Sequence, residues 1–127
     1  MRTIKFRGKR LDNGEWVHGS LAETHGKLFI GIPTDLDNPV YMMDWHEVDS
    51  NTVGQFTGLL DKNGKGIYEG DVLGYPEDED FLFEIVIFKD GCFMVKDIYT
   101  TIAMNTIDTE YRTIIGNIHD NELLNEK

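Results

Sequence analysis

The 127-residue sequence has one cysteine and three prolines, and its 12 Lys and Arg residues are outnumbered by 23 Asp and Glu. One thiol cannot form an internal disulfide, and without a second cysteine there is no paired-cysteine zinc or redox motif. The formal net charge of −11 argues against a general nucleic-acid binder, because such proteins present a basic surface.

Long apolar runs are also absent. The longest apolar-rich stretch, Phe81 to Phe88, has eight residues and contains Glu84, whereas a membrane-spanning helix needs about 20 apolar residues. The charged segment Met1 to Arg7 is followed by no apolar stretch of the kind that a signal peptide carries. We therefore expect no membrane partner and a cytoplasmic protein.

The sequence does contain many short segments typical of β-strands. Hydrophobic residues make up 40% of the chain, which is enough for a core, and the length fits one domain or two very small ones. Apolar and polar residues alternate from Thr3 to Arg7 and again around Trp16 and Val17, and Asn13-Gly14 suits a type I′ hairpin. The pattern predicts a mainly β protein with little helix. We expect an N-terminal β-meander over residues 1–56 and a small β-barrel over residues 57–127, which can share one core.

The clearest predicted hairpin lies in the second part. Phe81 to Phe88 is apolar on both faces, which is typical of a strand buried on both sides or of one whose outer face meets another subunit. Asp90-Gly91 is a tight turn signal, and Cys92 to Val95 pairs back, with Cys92 expected in the core. Residues 97–109 are compatible with a strand and loop or with a short helix. A short helical turn capped by Asp120 is expected at the C-terminus.

Charge is distributed unevenly along the chain. Residues 1–30 carry six basic and three acidic residues, whereas residues 31–127 carry six basic and 20 acidic ones. Such asymmetry is typical of a partner-binding segment or of self-association between copies. The candidate partner-binding cations are Arg2, Lys5, Arg7, Lys9 and Arg10. They could contact phosphates, or they could pair with acids within the fold or in a second copy.

Candidate catalytic and metal-binding residues are sparse. Asp44 and His46 would share a face of a strand, but the other histidines are scattered, so no complete metal-ligand set is predicted. The Asp61–Gly66 loop has a lysine where a calcium loop needs an oxygen ligand. An enzyme with a composite site near His46 and Asp71 is the weakest hypothesis, and we expect no cofactor.

Three segments together resemble the YopX family of bacteriophage and prophage proteins. They are Lys5–Lys9 with Gly14–Leu21, then Val53–Val72, and finally Ile115–Asn121. The resemblance implies a small barrel of the Src-homology-3-like type, assembly into homo-oligomers and a phage or prophage origin. It implies no activity and no catalytic residues.

These observations lead to a non-enzymatic, homo-oligomeric binding or assembly module as the first functional hypothesis. Its expected partners are a second copy of the chain and a phage or host protein, and its candidate oligomer contacts are Phe81, Phe83 and Phe88. The alternative is a nucleic-acid-binding accessory protein that uses the basic N-terminal strand.

Overall fold

The computed structural model describes residues 2–35, 37, 42–75 and 82–120. In this part of the chain the strands are β1 Phe6–Lys9, β2 Trp16–Thr24, β3 Lys27–Pro33, β4 Met43–Val48, β5 Gly54–Leu60, β6 Gly66–Tyr68, β7 Asp71–Gly74, β8 Glu84–Lys89, β9 Cys92–Lys96, β10 Thr101–Ala103 and β11 Thr113–Asn117. Short 3₁₀ helices lie at Ser50–Thr52, Met104–Thr106 and Thr109–Tyr111. The mainly β prediction is confirmed. The chain divides into two compact units, Met1–Phe56 and Thr57–Lys127.

The first unit is an antiparallel meander in which the strand order is β4-β3-β2-β1, with the start of β5 beside β1. One face of this sheet carries the core, which consists of Val17, Ile30 and Val48 with partly buried apolar neighbours. A single bridge between Arg10 and Val48 links the end of β4 to the residue after β1.

The turn between β1 and β2 and the turn between β2 and β3 differ in type. His25 and Gly26 have φ angles of 52° and 77°, so β2 and β3 are joined by the two left-handed residues that a type I′ turn requires. The type I′ turn predicted at Asn13-Gly14 is wrong. Only Gly14 has a positive φ there, and Arg10 and Glu15 instead close a four-residue loop, with the Arg10 N–H donating to the Glu15 carbonyl.

The second unit contains a five-stranded antiparallel sheet in the order β10-β9-β8-β7-β11, and β6 lies beside β5. Its core is built from buried residues of five segments: Ile67, Leu73, Val86, Val95 and Met104. Among the described residues the sheet ends at β10 and β11 and is not closed into a barrel, so the barrel expected for residues 57–127 is found as an open sheet.

The β8–β9 hairpin is present, with Asp90 and Gly91 both at positive φ, but its burial differs from the prediction. The strand begins at Glu84, and its buried side chains are Glu84 and Val86, whereas Phe88 is exposed. The prediction that Cys92 lies in the core is wrong. Cys92 pairs with Lys89 at the turn end of the hairpin, beyond the core, and its thiol is exposed.

The ambiguous segment 97–109 contains both β10 and a 3₁₀ helix. The residues that would follow Asp120 in the predicted C-terminal helical turn lie outside the described residues.

Candidate interaction surfaces

The basic strand β1 places its cations in different environments. Arg7 and Lys9 lie opposite His18 and Trp16 of β2, so these four side chains share the sheet face that points away from the core. The Arg7 guanidinium lies 4.8 Å from the centroid of the Trp16 ring and Lys9 Nζ lies 5.6 Å from it. Both cations are therefore placed for cation–π attraction to one indole.

Arg7 is only 8% exposed, because the Trp16 ring covers it. Arg10 is held by Asp12, which accepts bonds of 2.9 Å and 2.6 Å from its Nε and Nη2. This bonding from Arg10 lowers the pKa of the Asp12 carboxyl. Arg2 and Lys5 are exposed at the start of the chain. The five predicted partner-binding cations thus do not form one continuous surface, and Arg7 contributes to packing.

The same outer face also carries an exposed indole, that of Trp45, whose position is fixed by packing on the neighbouring strand. Trp45 of β4 pairs with Gly31 of β3, and a Cβ added to Gly31 would lie 2.7 Å from Cζ3 of that indole and 2.9 Å from the Met43 methyl. The ring therefore packs on the bare backbone of Gly31, the arrangement known as aromatic rescue of a glycine. Trp45 is nevertheless 47% exposed. The sequence around Trp45 does not predict this packing, because the partner glycine lies on the neighbouring strand β3.

The candidate oligomer contacts are separated by the structure. Phe83 and Phe88 are 55% and 52% exposed, but they lie at opposite ends of β8, roughly 17 Å apart along an extended chain. Phe81 lies outside the described residues. Phe88 makes an edge-to-face contact with Phe93, with ring centroids 5.2 Å apart.

We define the β8–β10 patch as Phe88, Phe93 and Ile102. Phe88 pairs with Phe93, and Ile102 pairs with the buried Val95, so all three side chains lie on the face that carries the core. The core of the second unit therefore continues into apolar side chains that reach solvent. An exposed apolar cluster of this kind is typical of a protein contact surface.

The second unit also contains a buried carboxylate that the sequence analysis did not identify. Asp61 is 5% exposed and accepts three backbone N–H bonds: 2.9 Å from Asn63, 2.9 Å from Lys65 and 3.0 Å from Ile114. Burial acts to raise the pKa of Asp61, but these bonds and the charge of Lys65 outweigh it, so the pKa lies below its ordinary value. The carboxylate fastens the 62–65 turn to β11.

The second unit also contains a largely buried ion pair between Glu84 and Arg112. Glu84 Oε1 accepts a 2.5 Å bond from Arg112 Nε, and the two side chains are 9% and 12% exposed. Arg112 Nη1 also donates to the Asp108 carbonyl at 2.9 Å, and its guanidinium lies 5.4 Å from the centroid of the Tyr75 ring. Glu84, the Asp108 carbonyl and the Tyr75 ring therefore fix the position of the Arg112 guanidinium.

The residues of the composite-site hypothesis, His46 and Asp71, lie on β4 of the first unit and β7 of the second unit. Asp71 is 2% exposed and its Oδ2 accepts the Tyr68 N–H at 2.8 Å, so this carboxylate holds the turn between β6 and β7. Asp44 and His46 lie on β4 and share a face, as their spacing predicts. Across the described residues no three His, Cys, Asp or Glu side chains converge on a possible metal position.

The described part of the chain also has no helix long and apolar enough to cross a membrane.

Comparison with known proteins gives a family and a fold. The family model described as YopX protein matches residues 5–125. The crystal structure of protein EF1440 from Enterococcus faecalis is similar over 98% of this chain and 99% of that one, with a TM-score of 0.60 and 24% sequence identity. At that identity the likeness concerns the fold alone. No curated protein matches the chain.

Proposed function

The chain belongs to the YopX protein family, and we propose for it a role in binding and not in catalysis, which an exposed aromatic contact and the bonded state of the buried acids support. The protein is a homo-oligomeric binding or assembly module of phage or prophage origin that acts in the bacterial cytoplasm. Its oligomer contact includes the β8–β10 patch. Phe83, at the other end of β8, lies outside that contact.

The observation that carries this proposal is the exposure of Phe88. A phenyl ring that stays about half exposed, while it packs edge-on against Phe93, offers apolar area that a second copy can bury. Most of the binding energy of a protein interface comes from a few such aromatic side chains. The chain's charge of −11 would otherwise keep copies apart, so an association must bury apolar surface or pair opposite charges.

The buried acids of the second unit support a binding role over a catalytic one. Asp61 and Asp71 accept backbone N–H groups, and Glu84 is bonded to Arg112. Carboxylates engaged in this way hold turns and strands together, and proton transfer would break those bonds.

Size-exclusion chromatography with light scattering at micromolar concentration, in low and high salt, tests the proposal. We expect an oligomer for the wild-type protein and a dissociation constant raised about 10- to 100-fold by Phe88→Ser. Tyr99→Ser is the matched control, because Tyr99 is exposed on the turn at the other end of β9. A monomer under every condition contradicts the proposed function. An oligomer that Phe88→Ser leaves intact contradicts the assigned contact.

Nucleic-acid binding is the weaker candidate, because Arg7 is buried against Trp16 and Arg10 is bonded to Asp12. It rests on the exposed Arg2 and Lys5 and on Lys9. A gel-shift titration with single- and double-stranded DNA and RNA at low salt tests it. Binding that weakens in salt and in Arg2→Ala with Lys5→Ala supports this candidate, and the absence of any shift removes it.

A further inference from the structure

Among the described residues, no strand pairs with the edge of β4 at Met43 and Trp45. In the described part of the chain β4 is the last strand of its sheet, with β3 on one side. On its other side the Glu47 carbonyl accepts from Leu11 and the Asp49 N–H donates to Lys9. Because backbone groups alternate along a strand, Met43 and Trp45 direct their N–H and C=O groups to that same edge, further along. Such an edge can add another strand.

The β4 edge is acidic. Between Lys27 and Lys62 the sequence contains no Lys or Arg, whereas five acids lie between residues 35 and 49. Two of them belong to β4: Glu47 shares a face with Trp45, and Asp44 lies on the opposite face. The chemistry that fits this edge is an extended, basic segment with one cation for the indole and its neighbouring carboxylate and another for Asp44.

The chain itself contains such a segment at residues 2–5. The residues of this arm are exposed and have no regular secondary structure, and Ile4 is 63% exposed. The arm is held at its end, where the Lys5 carbonyl accepts the Phe56 N–H at 2.8 Å. No acid precedes Asp12, whereas Arg2 and Lys5 both lie in the arm. Side chains alternate between the two faces of a strand, so Arg2 and Lys5, three positions apart, point to opposite faces. If the arm adds to β4 as a strand, one of these cations lies on the Trp45 face and the other on the Asp44 face, in either orientation of the arm.

The arm of a given copy lies at the wrong end of β1 to reach its own β4 edge. Arg10 is bridged to Val48, and from there Leu11 continues towards Glu47 and Trp45. Residue 4 lies in the other direction, beyond the pairing of Phe6 with Gln55. The path from Ile4 to Arg10 and then from Val48 to Trp45 has about nine residue steps, which at about 3.3 Å per residue separates Ile4 from Trp45 by roughly 30 Å. The arm that meets the edge must therefore come from another copy.

We propose that the β4 edge around Trp45 accepts residues 2–5 of a second copy of the chain as an added strand. The inference rests on the proposed function, since it names a contact within the oligomer, and it deepens it by giving the N-terminal cations a partner. The exposed indole, seated on Gly31, covers the arm, and the acids of β4 pair with Arg2 and Lys5.

Charge reversal and its compensation test this contact by sedimentation equilibrium. We expect Arg2→Glu with Lys5→Glu, and separately Asp44→Lys with Glu47→Lys, to raise the dissociation constant at least about tenfold. The chain that carries all four substitutions is expected to recover association, because acidic arms then meet basic edges. Lys62→Glu with Lys96→Glu is the control, since it changes the net charge as the arm variant does, at two exposed positions of the other unit.

The outcomes separate this inference from the proposed function. If the wild-type protein is a monomer, both are wrong. If it associates and Phe88→Ser weakens it, while the arm variant associates like the wild type, only the arm-to-edge contact is wrong. Failure of the fourfold variant to recover, although circular dichroism shows it folded, also overturns the contact. Slower hydrogen exchange at the Met43 and Trp45 amides on association would support it.

Discussion

Asp61 Oδ2 accepts the backbone N–H of Ile114 at 3.0 Å across 53 positions of sequence. Its other oxygen, Oδ1, accepts from Asn63 and Lys65 in the turn that follows. One buried carboxylate thus uses both oxygens, one for a local turn and one for β11, the edge strand of the second sheet. The turn and the edge strand depend on the same side chain.

Replacing this carboxylate tests how much the second unit depends on it. Asp61→Asn retains one acceptor oxygen, so either the turn or the Ile114 N–H loses its partner, and we expect a loss of about 1–3 kcal/mol in the free energy of unfolding. Urea unfolding measures it. Asp97→Asn is the control, because Asp97 bonds the Tyr99 and Thr100 N–H groups through one oxygen only, and an amide can replace that. Equal losses in the two variants would contradict the assigned role of Asp61.

Stability is expected to fall in acid through the same group. The pKa of Asp61 in the folded protein lies below its ordinary value of 3.8, because three backbone N–H groups stabilise the charged form. The unfolded chain therefore binds the proton more tightly. The contribution of Asp61 is complete above its ordinary pKa and is lost as the pH falls through the folded-state pKa. Urea unfolding between neutral and acidic pH should show a shallower decline for Asp61→Asn. Parallel pH profiles for variant and wild type would rule this out.

Features determined by neighbouring residues were predictable from the sequence. His25-Gly26 and Asp90-Gly91 form their turns because the needed positive φ angles are a local property of those residue types. The turn type at Asn13-Gly14 was not predictable in this way, because Arg10 and Glu15 close a longer loop around these two residues. Cys92 has apolar neighbours in sequence, yet it lies at the end of a hairpin that extends beyond the core.

The candidate surfaces were predictable only in part, since they depend on residues of adjacent strands. Alternation places Arg7 on the outer face of β1, but its burial arises from Trp16 on β2. Trp45 is held by Gly31 on β3. Phe88 was identified because a strand that is apolar on both faces is either buried on both sides or presents one face to another subunit. The structure exposes Phe88 at the end of the face that carries the core.

The burial of Arg7 predicts a structural cost that a surface cation would not have. Arg7→Ala removes the guanidinium that packs against Trp16 together with the aliphatic stem, and we expect a loss of about 1–2 kcal/mol in the free energy of unfolding. Lys5→Ala is the control, as it removes an exposed cation that lies just before the same strand. Thermal unfolding of both variants measures the difference. If the two variants lose the same free energy of unfolding, the packing of Arg7 against Trp16 contributes no more to stability than an exposed cation does.

The Glu84–Arg112 pair leads to a prediction about charge burial. Both side chains are largely shielded from water, so Arg112→Met leaves a buried carboxylate without its main cation and should cost about 3–5 kcal/mol in the free energy of unfolding. Glu84→Leu in the same chain removes that stranded charge and should recover most of the loss, because apolar side chains of similar volume fill the space. Urea unfolding of the wild type, both single variants and the double variant gives the coupling energy. A cost below about 1 kcal/mol for Arg112→Met would mean that the pair behaves as a solvent-exposed one.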